Sequence, residues 1–242
     1  MITCGRFLIL FFTLFFVSES MVAQISAGKI VYERRTNLYK KFKGDDVKEW
    51  LQPEDKNKVD MFELYFNDSL SFFKIQDSDL KEKMSWATSK NTVYQNLKKN
   101  YRLSIKSVWG EALYVEDSLY KRKWKITDNK RVISGYTCNK AIWQANDTTR
   151  IYAWYCNEIL PSVGPESFYG LPGAILGLAT EDGGVIYFAK SVEISKPEEV
   201  MLIPEKGKNK IYASAELKTK LEKDFGKNPW GKAMIKEMFG IW

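Results

Sequence analysis

Short alternating segments separated by turn residues are the feature that most limits how this chain can fold. Met61 to Phe66 and Ser69 to Ile75 flank Asn67-Asp68. Tyr136 to Ala145 and Arg150 to Cys156 flank Asn146-Asp147-Thr148, and Ala174 to Ala179 and Val185 to Ile194 flank Thr180 to Gly184. Asn, Asp and Gly tolerate the backbone of tight hairpins, and a period of two turns one face of each strand inward. Further strands are expected at Lys29 to Asn37, Thr92 to Asn96, Leu103 to Val108 and Ala112 to Val115. Lys123 to Thr127 and Lys130 to Ile133 add two more around an Asp128-Asn129 turn. No helical periodicity alternates with these segments, so the pattern predicts an antiparallel meander and not a parallel doubly wound sheet. After Pro204 the period changes: Leu217, Leu221 and Phe225 recur every fourth residue. That spacing predicts an amphipathic helix over Ala213 to Phe225, stopped near Gly226 or Pro229, with Trp230 to Trp242 a second short helix or a flexible end. The expected class is mainly β (α+β), with strands to about residue 196 and a helical segment over about 213–239.

The N-terminus carries Arg6, an apolar run from Phe7 to Val17 and a small residue at Ala23. This is the layout of a secretory signal, with cleavage after Ala23, so that residues 24–242 form a single domain. The apolar run is too short to span a bilayer, which needs roughly 20 residues. The expected product is exported, periplasmic or associated with the outer envelope, and at most peripheral to a membrane. A net charge of +7 is scattered among acidic residues. It reads as solvated surface with a leaning toward anionic headgroups or glycans, and no motif points to nucleic acid.

The chain contains no histidine. Ser-His-Asp and Cys-His nucleophiles and His-based zinc sites are therefore excluded, and neither a P-loop nor a GxGxxG fingerprint is present. No cofactor, metal or catalytic residue is assigned. Carboxylate chemistry would have to draw on Asp117, Glu158, Glu166, Glu181 or Asp182, each of which also reads as turn or surface. Cys138 and Cys156 are equidistant from Asp147 in the turn, so the hairpin register sets them opposite one another. In an oxidising compartment they are candidates for a disulfide bond. Alternation places Trp143 and Tyr155 on one face of that hairpin and Tyr152 and Trp154 on the other; with Phe168 they are either core or contacts to an apolar ligand or partner.

The densest stretch is GPESFYGLPGAILGLATEDGGVIYF, from Gly164 to Phe188. Gly170-Leu171-Pro172-Gly173 predicts a stiff, sharply bent loop feeding a central strand from Ala174 to Leu178 that pairs with Val185 to Ala189. Together with KWKITDNKRVISGYTCNKA and IYAWYCNEI, this stretch resembles the GLPGLI family, or Porph_ging, of exported Bacteroidota proteins of unknown function. Trp124, Ile126, Lys130, Gly135, Tyr136, Cys138, Lys140, Ala141, Ala153, Trp154, Tyr155, Glu158 and Ile159 fit its pattern. So do Gly164, Pro165, Phe168, Gly170, Leu171, Pro172, Gly173, Ile175 and Leu176. Ala174 stands where the namesake motif has leucine, and Cys156 where the family usually has a small polar residue; the resemblance does not support the disulfide. What it implies is a curved antiparallel sheet like the lipoprotein-carrier half-barrel, wrapped around a helix. The expected role is non-enzymatic: binding lipid, another hydrophobic ligand or an outer-membrane partner. An adaptor for a TonB-dependent transport or secretion system and a carboxylate hydrolase of envelope glycans or peptides are the alternatives.

Overall fold

The structure is a computed structural model that describes residues 24–42, 51–77, 83–108, 110–204 and 209–241. The segment expected to be the export signal lies outside the described residues. Twelve strands form one sheet: β1 Gly28–Asn37, β2 Asn57–Phe66, β3 Leu70–Ile75, β4 Thr92–Asn96, β5 Tyr101–Val108, β6 Glu111–Asp117, β7 Lys125–Ile133, β8 Tyr136–Asn146, β9 Thr149–Cys156, β10 Ala174–Thr180, β11 Val185–Ile194 and β12 Ile211–Ala213. Leu38–Lys41 is a single helical turn, α1, and Ser214–Phe225 and Pro229–Met238 are α2 and α3. The spatial order is β12-β6-β5-β4-β3-β2-β1-β11-β10-β9-β8-β7.

This is not one meander but two. Strands β1 to β6 and β7 to β11 each run sequentially, and the antiparallel pairing of β1 with β11 joins them at the centre. That contact lies far apart in sequence, whereas the local hairpins follow from their turns alone. β12 adds a short parallel edge on β6. The two outermost strands, β12 and β7, do not pair with each other among the described residues, so the sheet is open. The two C-terminal helices pack at the β6 end of the sheet, and Glu237 in the last turn of α3 reaches Lys41 after β1 at 2.6 Å. Leu217, Leu221, Ile235 and Met238 close a separate small core on Val115 of β6.

Two local expectations change. Asp128-Asn129 does not turn the chain; residues 125–133 form one strand, and a register shift against β8 between Ile126 and Lys130 absorbs the extra residues as a bulge. The hairpin turn comes at Ser134-Gly135, where both residues have positive φ (50° and 86°), as a two-residue hairpin loop requires. The Asn67 turn forms as read, with Asn67 Oδ1 accepting from the backbone N–H groups of Ser69 and Leu70.

The disulfide does not form: Cys138 and Cys156 are free and buried. The expected register is present, with Asn139 opposite Tyr155 and Ala141 opposite Ala153, but that ladder ends one residue short of the cysteines. Opposed positions are insufficient without the required side-chain geometry. Cys138 Sγ instead donates to the Tyr136 carbonyl at 3.6 Å. Burial and the neighbouring Cys156 push the Cys138 thiol up to about 12, so the nucleophilic thiolate is suppressed.

At Gly173 the backbone holds φ at +135°, and an added Cβ would lie 2.0 Å from the Cys156 carbonyl oxygen. Gly170 also has positive φ (+96°), but a Cβ there would meet only the Trp124 ring, at 3.6 Å. Gly173→Ala should therefore abolish folding, whereas Gly170→Ala should cost about 1–3 kcal/mol in equilibrium unfolding. In the chain beginning at Gln24, denaturation without reductant should reveal two titratable thiols that do not react in the folded protein.

Candidate functional site

The loop from Pro161 to Gly173 is buried over the inner face of the sheet, and side chains supply partners for its backbone. Arg122 Nη1 donates to the Ser167 carbonyl (2.9 Å) and Nη2 to Ser167 Oγ (3.2 Å). Trp124 Nε1 donates to the Tyr169 carbonyl at 3.0 Å. The Gly170 N–H donates to Ser162 Oγ, and the Ala174 and Ile175 N–H groups donate to the carbonyls of Ile159 and Val163. A buried loop is tolerable only when its polar groups are satisfied in this way.

Beneath it lies a buried charged cluster. Alternation on β1 puts Arg34 on the inward face with Ile30 and Tyr32, and alternation on β2 puts Asp60 there with Phe62 and Leu64. Arg34 lies directly opposite Asp60 on one side and Tyr187 of β11 on the other. Its Nη2 reaches Asp60 Oδ2 at 2.7 Å, and its guanidinium rests over the Phe62 ring, 4.7 Å from the centroid. The loop supplies the second carboxylate. Glu166 adopts φ +54°, which turns its side chain down to within 3.8 Å of Arg34. Tyr187 donates to Glu166 Oε1 (2.8 Å) and Asn91 to Oε2 (3.2 Å), while Thr88 donates to Asp60 Oδ2 (2.9 Å). Lys58 forms an ion pair with Asp60 Oδ1 at 3.3 Å.

Burial and pairing shift Asp60 and Tyr187 away from their ordinary values. Asp60 lies below the usual carboxylate range: burial opposes this, and the attraction and hydrogen bond of Arg34 outweigh it. Burial pushes the Tyr187 phenol well above its ordinary value, and the Glu166 carboxylate adds to the effect. Such a cluster is a clasp between loop and sheet.

The residues singled out in the sequence fall into three places. Pro165, Phe168, Leu171 and the motif glycines form the clasped loop. Phe168, Trp143 and Tyr155 are buried in the inner core, where Trp143 packs edge-on to Phe168 at 6.1 Å. Tyr152 and Trp154 lie on the opposite face of β9, half-buried, and Trp154 packs on Phe188 at 6.1 Å. Trp154 and Phe168 therefore do not line a common cavity. The carboxylates remain dispersed: Glu166 in the clasp, Asp117 paired with Arg102 on β6, Glu158 after β9, and Glu181 and Asp182 in the β10–β11 turn, where Glu181 pairs with Arg150. Arg34 and Asp60 were missed, although their parity with buried apolar neighbours was the available signal.

The outer face combines rings with cations. Lys140 Nζ sits 4.0 Å from the Tyr152 centroid, and Arg131 lies over Phe188 (4.9 Å) and Trp154 (5.5 Å). Neither cation has a carboxylate partner among the described residues. Alongside is a cleft of about 430 Å³ lined by Glu33, Arg35, Ser134, Ile186, Phe188 and Lys190.

The family model described as "Protein of unknown function (Porph_ging)" matches residues 144–177. The matched part covers the β8–β9 hairpin end, the clasped loop and most of β10. A search of curated proteins finds no match. Among solved structures the chain is similar to PNGF-II in its P21 form, with a TM-score of 0.53 and 17% identity over 78% of this chain and 31% of that one. The C2 form gives 0.55 and 19% over 81% and 32%. The chain thus spans about a third of the PNGF-II length, and at these identities the likeness is one of fold. Among the described residues no group of three or more Cys, Asp or Glu could hold a metal ion, and no helix is long and apolar enough to cross a membrane.

Asp60 has a lower folded than unfolded value, so its contribution to stability is complete above the unfolded value, about 3.9, and is lost as pH falls through the folded one. Asp60→Asn should cost about 3–5 kcal/mol near pH 7, because Arg34 is left with an incomplete set of partners. Urea unfolding at stepped pH should also show a shallower acid loss for this variant than for the parent.

Proposed function

We propose that this chain is an exported, non-enzymatic binding protein of the Porph_ging (GLPGLI) family that docks on an outer-membrane partner through the outer face of β7 to β11. The observation that carries this reading is the ladder Tyr152–Lys140–Trp154–Arg131–Phe188, with half-buried rings and cations that lack carboxylate partners among the described residues. Trp143, Tyr155 and Phe168 are buried in the core, whereas Tyr152, Trp154 and Phe188 keep part of their surface exposed, Trp154 and Phe188 while also packing against the core. Aromatic and arginine side chains concentrate binding energy when an interface excludes water from them. The cleft beside Phe188 extends this surface and suits an apolar group with acidic neighbours. The dispersal of the carboxylates favours binding over hydrolysis.

Crosslinking in intact cell envelopes should capture an outer-membrane protein with the parent chain. Trp154→Ala should weaken that association by about 2 kcal/mol, roughly thirtyfold, with circular dichroism confirming that the variant is folded. Equal capture by parent and variant would refute the docking face. Recovery of bound lipid in place of a protein would favour the hydrophobic-ligand role.

A further inference from the structure

A second site, independent of the outer face, lies where the clasped loop meets β5. The cross-strand series Ser71, Gln95, Arg102 and Asp117 places Arg102 on the inner face, and Lys106 shares its parity. Gln95 Nε2 and Arg122 Nη1 both donate to the Ser167 carbonyl, at 3.4 and 2.9 Å. The β6–β7 connection and β4, with Arg102 of β5 opposite Gln95, therefore meet the Ser167–Tyr169 segment here. Arg122 is fixed over the Phe168 ring, 4.0 Å from its centroid.

Three donors at this junction are unused among the described residues. Arg102 Nε, Arg122 Nε and the Tyr169 hydroxyl are buried without a hydrogen-bond partner among the described residues. Native structures rarely leave such groups unpaired, so each one calls for an explanation. Bracing the loop accounts for the two Nη atoms of Arg122 but not for its Nε, nor for the Arg102 charge held near it. Asp117 pairs with Arg102 at 3.2 Å. Arg102 and Arg122 thus share one locally paired carboxylate. Burial lowers the Arg102 and Arg122 values, and the Arg102 charge lowers that of Arg122 further, as expected for like charges held together.

We propose that Arg102, Arg122 and Tyr169 bind a phosphate-sized oxyanion between β5 and the loop. Two guanidinium N–H groups and a phenol are supplied by three elements, which matches an anion with three or more acceptor oxygens better than a two-oxygen carboxylate. An anion would also offset the excess positive charge. Arg102 and Asp117 keep 19% and 40% of their side-chain surface exposed, which marks the side from which an anion would enter. The phosphate could be free or carried on an ester such as a lipid headgroup.

Calorimetric titration of the chain beginning at Gln24, at constant ionic strength, tests this with inorganic phosphate and with glycerol 3-phosphate. One-to-one saturable binding is expected. It should weaken about tenfold or more in Tyr169→Phe and Arg102→Gln and remain unchanged in Lys210→Gln, which alters a lysine beside β12. Circular dichroism confirms that each variant is folded, and Tyr169→Phe alone decides the matter if Arg102→Gln is not. Tighter binding of the ester would support a headgroup source and tighter binding of the inorganic ion a free one. Absence of saturable binding of both probes, or the same weak binding in all variants, would overturn the proposal.

Discussion

The structure depends on one buried guanidinium. Arg34 stands where the two meanders meet, between Asp60 of the first and Tyr187 of the second, and the loop completes its surroundings with Glu166. Removing a charge from water costs several kcal/mol, and only well-placed partners recover that cost. The four groups are therefore interdependent: loss of one leaves another charged or polar group buried without compensation. This explains why an irregular loop can be the most constrained part of the chain. It must deliver a carboxylate to one point from a left-handed backbone and then pass Gly173 against the Cys156 carbonyl.

The clasp also divides labour between the faces of the sheet. Inward, the rings of Trp143, Tyr155 and Phe168 and the Arg34 cluster fill the space under the loop, so that face stabilises the fold. Outward, Tyr152, Trp154 and Phe188 are half-buried and carry cations on their ring faces. The same period-two alternation generates both surfaces from single strands.

Much of the sheet was legible because hairpins are local. Parity and turn residues located β2–β3, β8–β9 and β10–β11, and the symmetry of the β8–β9 turn gave the observed register. The pairing of β1 with β11 was not legible, since no short-range signal ties Arg34 to Tyr187. The register that placed the cysteines opposite one another held, but facing positions do not create a bond when the ladder ends before them. In Glu33-Arg34-Arg35 all three residues resemble surface charge, and only the parity of Arg34 with Ile30 and Tyr32 sets it apart. Glu166 offered no comparable signal because its position comes from a positive φ within an aperiodic loop.

Native-state hydrogen exchange of the loop amides tests the clasp most directly. The N–H groups of Phe168, Ala174 and Ile175 donate to Pro165, Ile159 and Val163 within and beside the loop. If the loop is locked to the sheet through Arg34, these amides should exchange only through global unfolding, with the same free energy as the amides of β1 and β11. Exchange through a local opening several kcal/mol cheaper would show a loop that moves independently of the core, and would contradict the account.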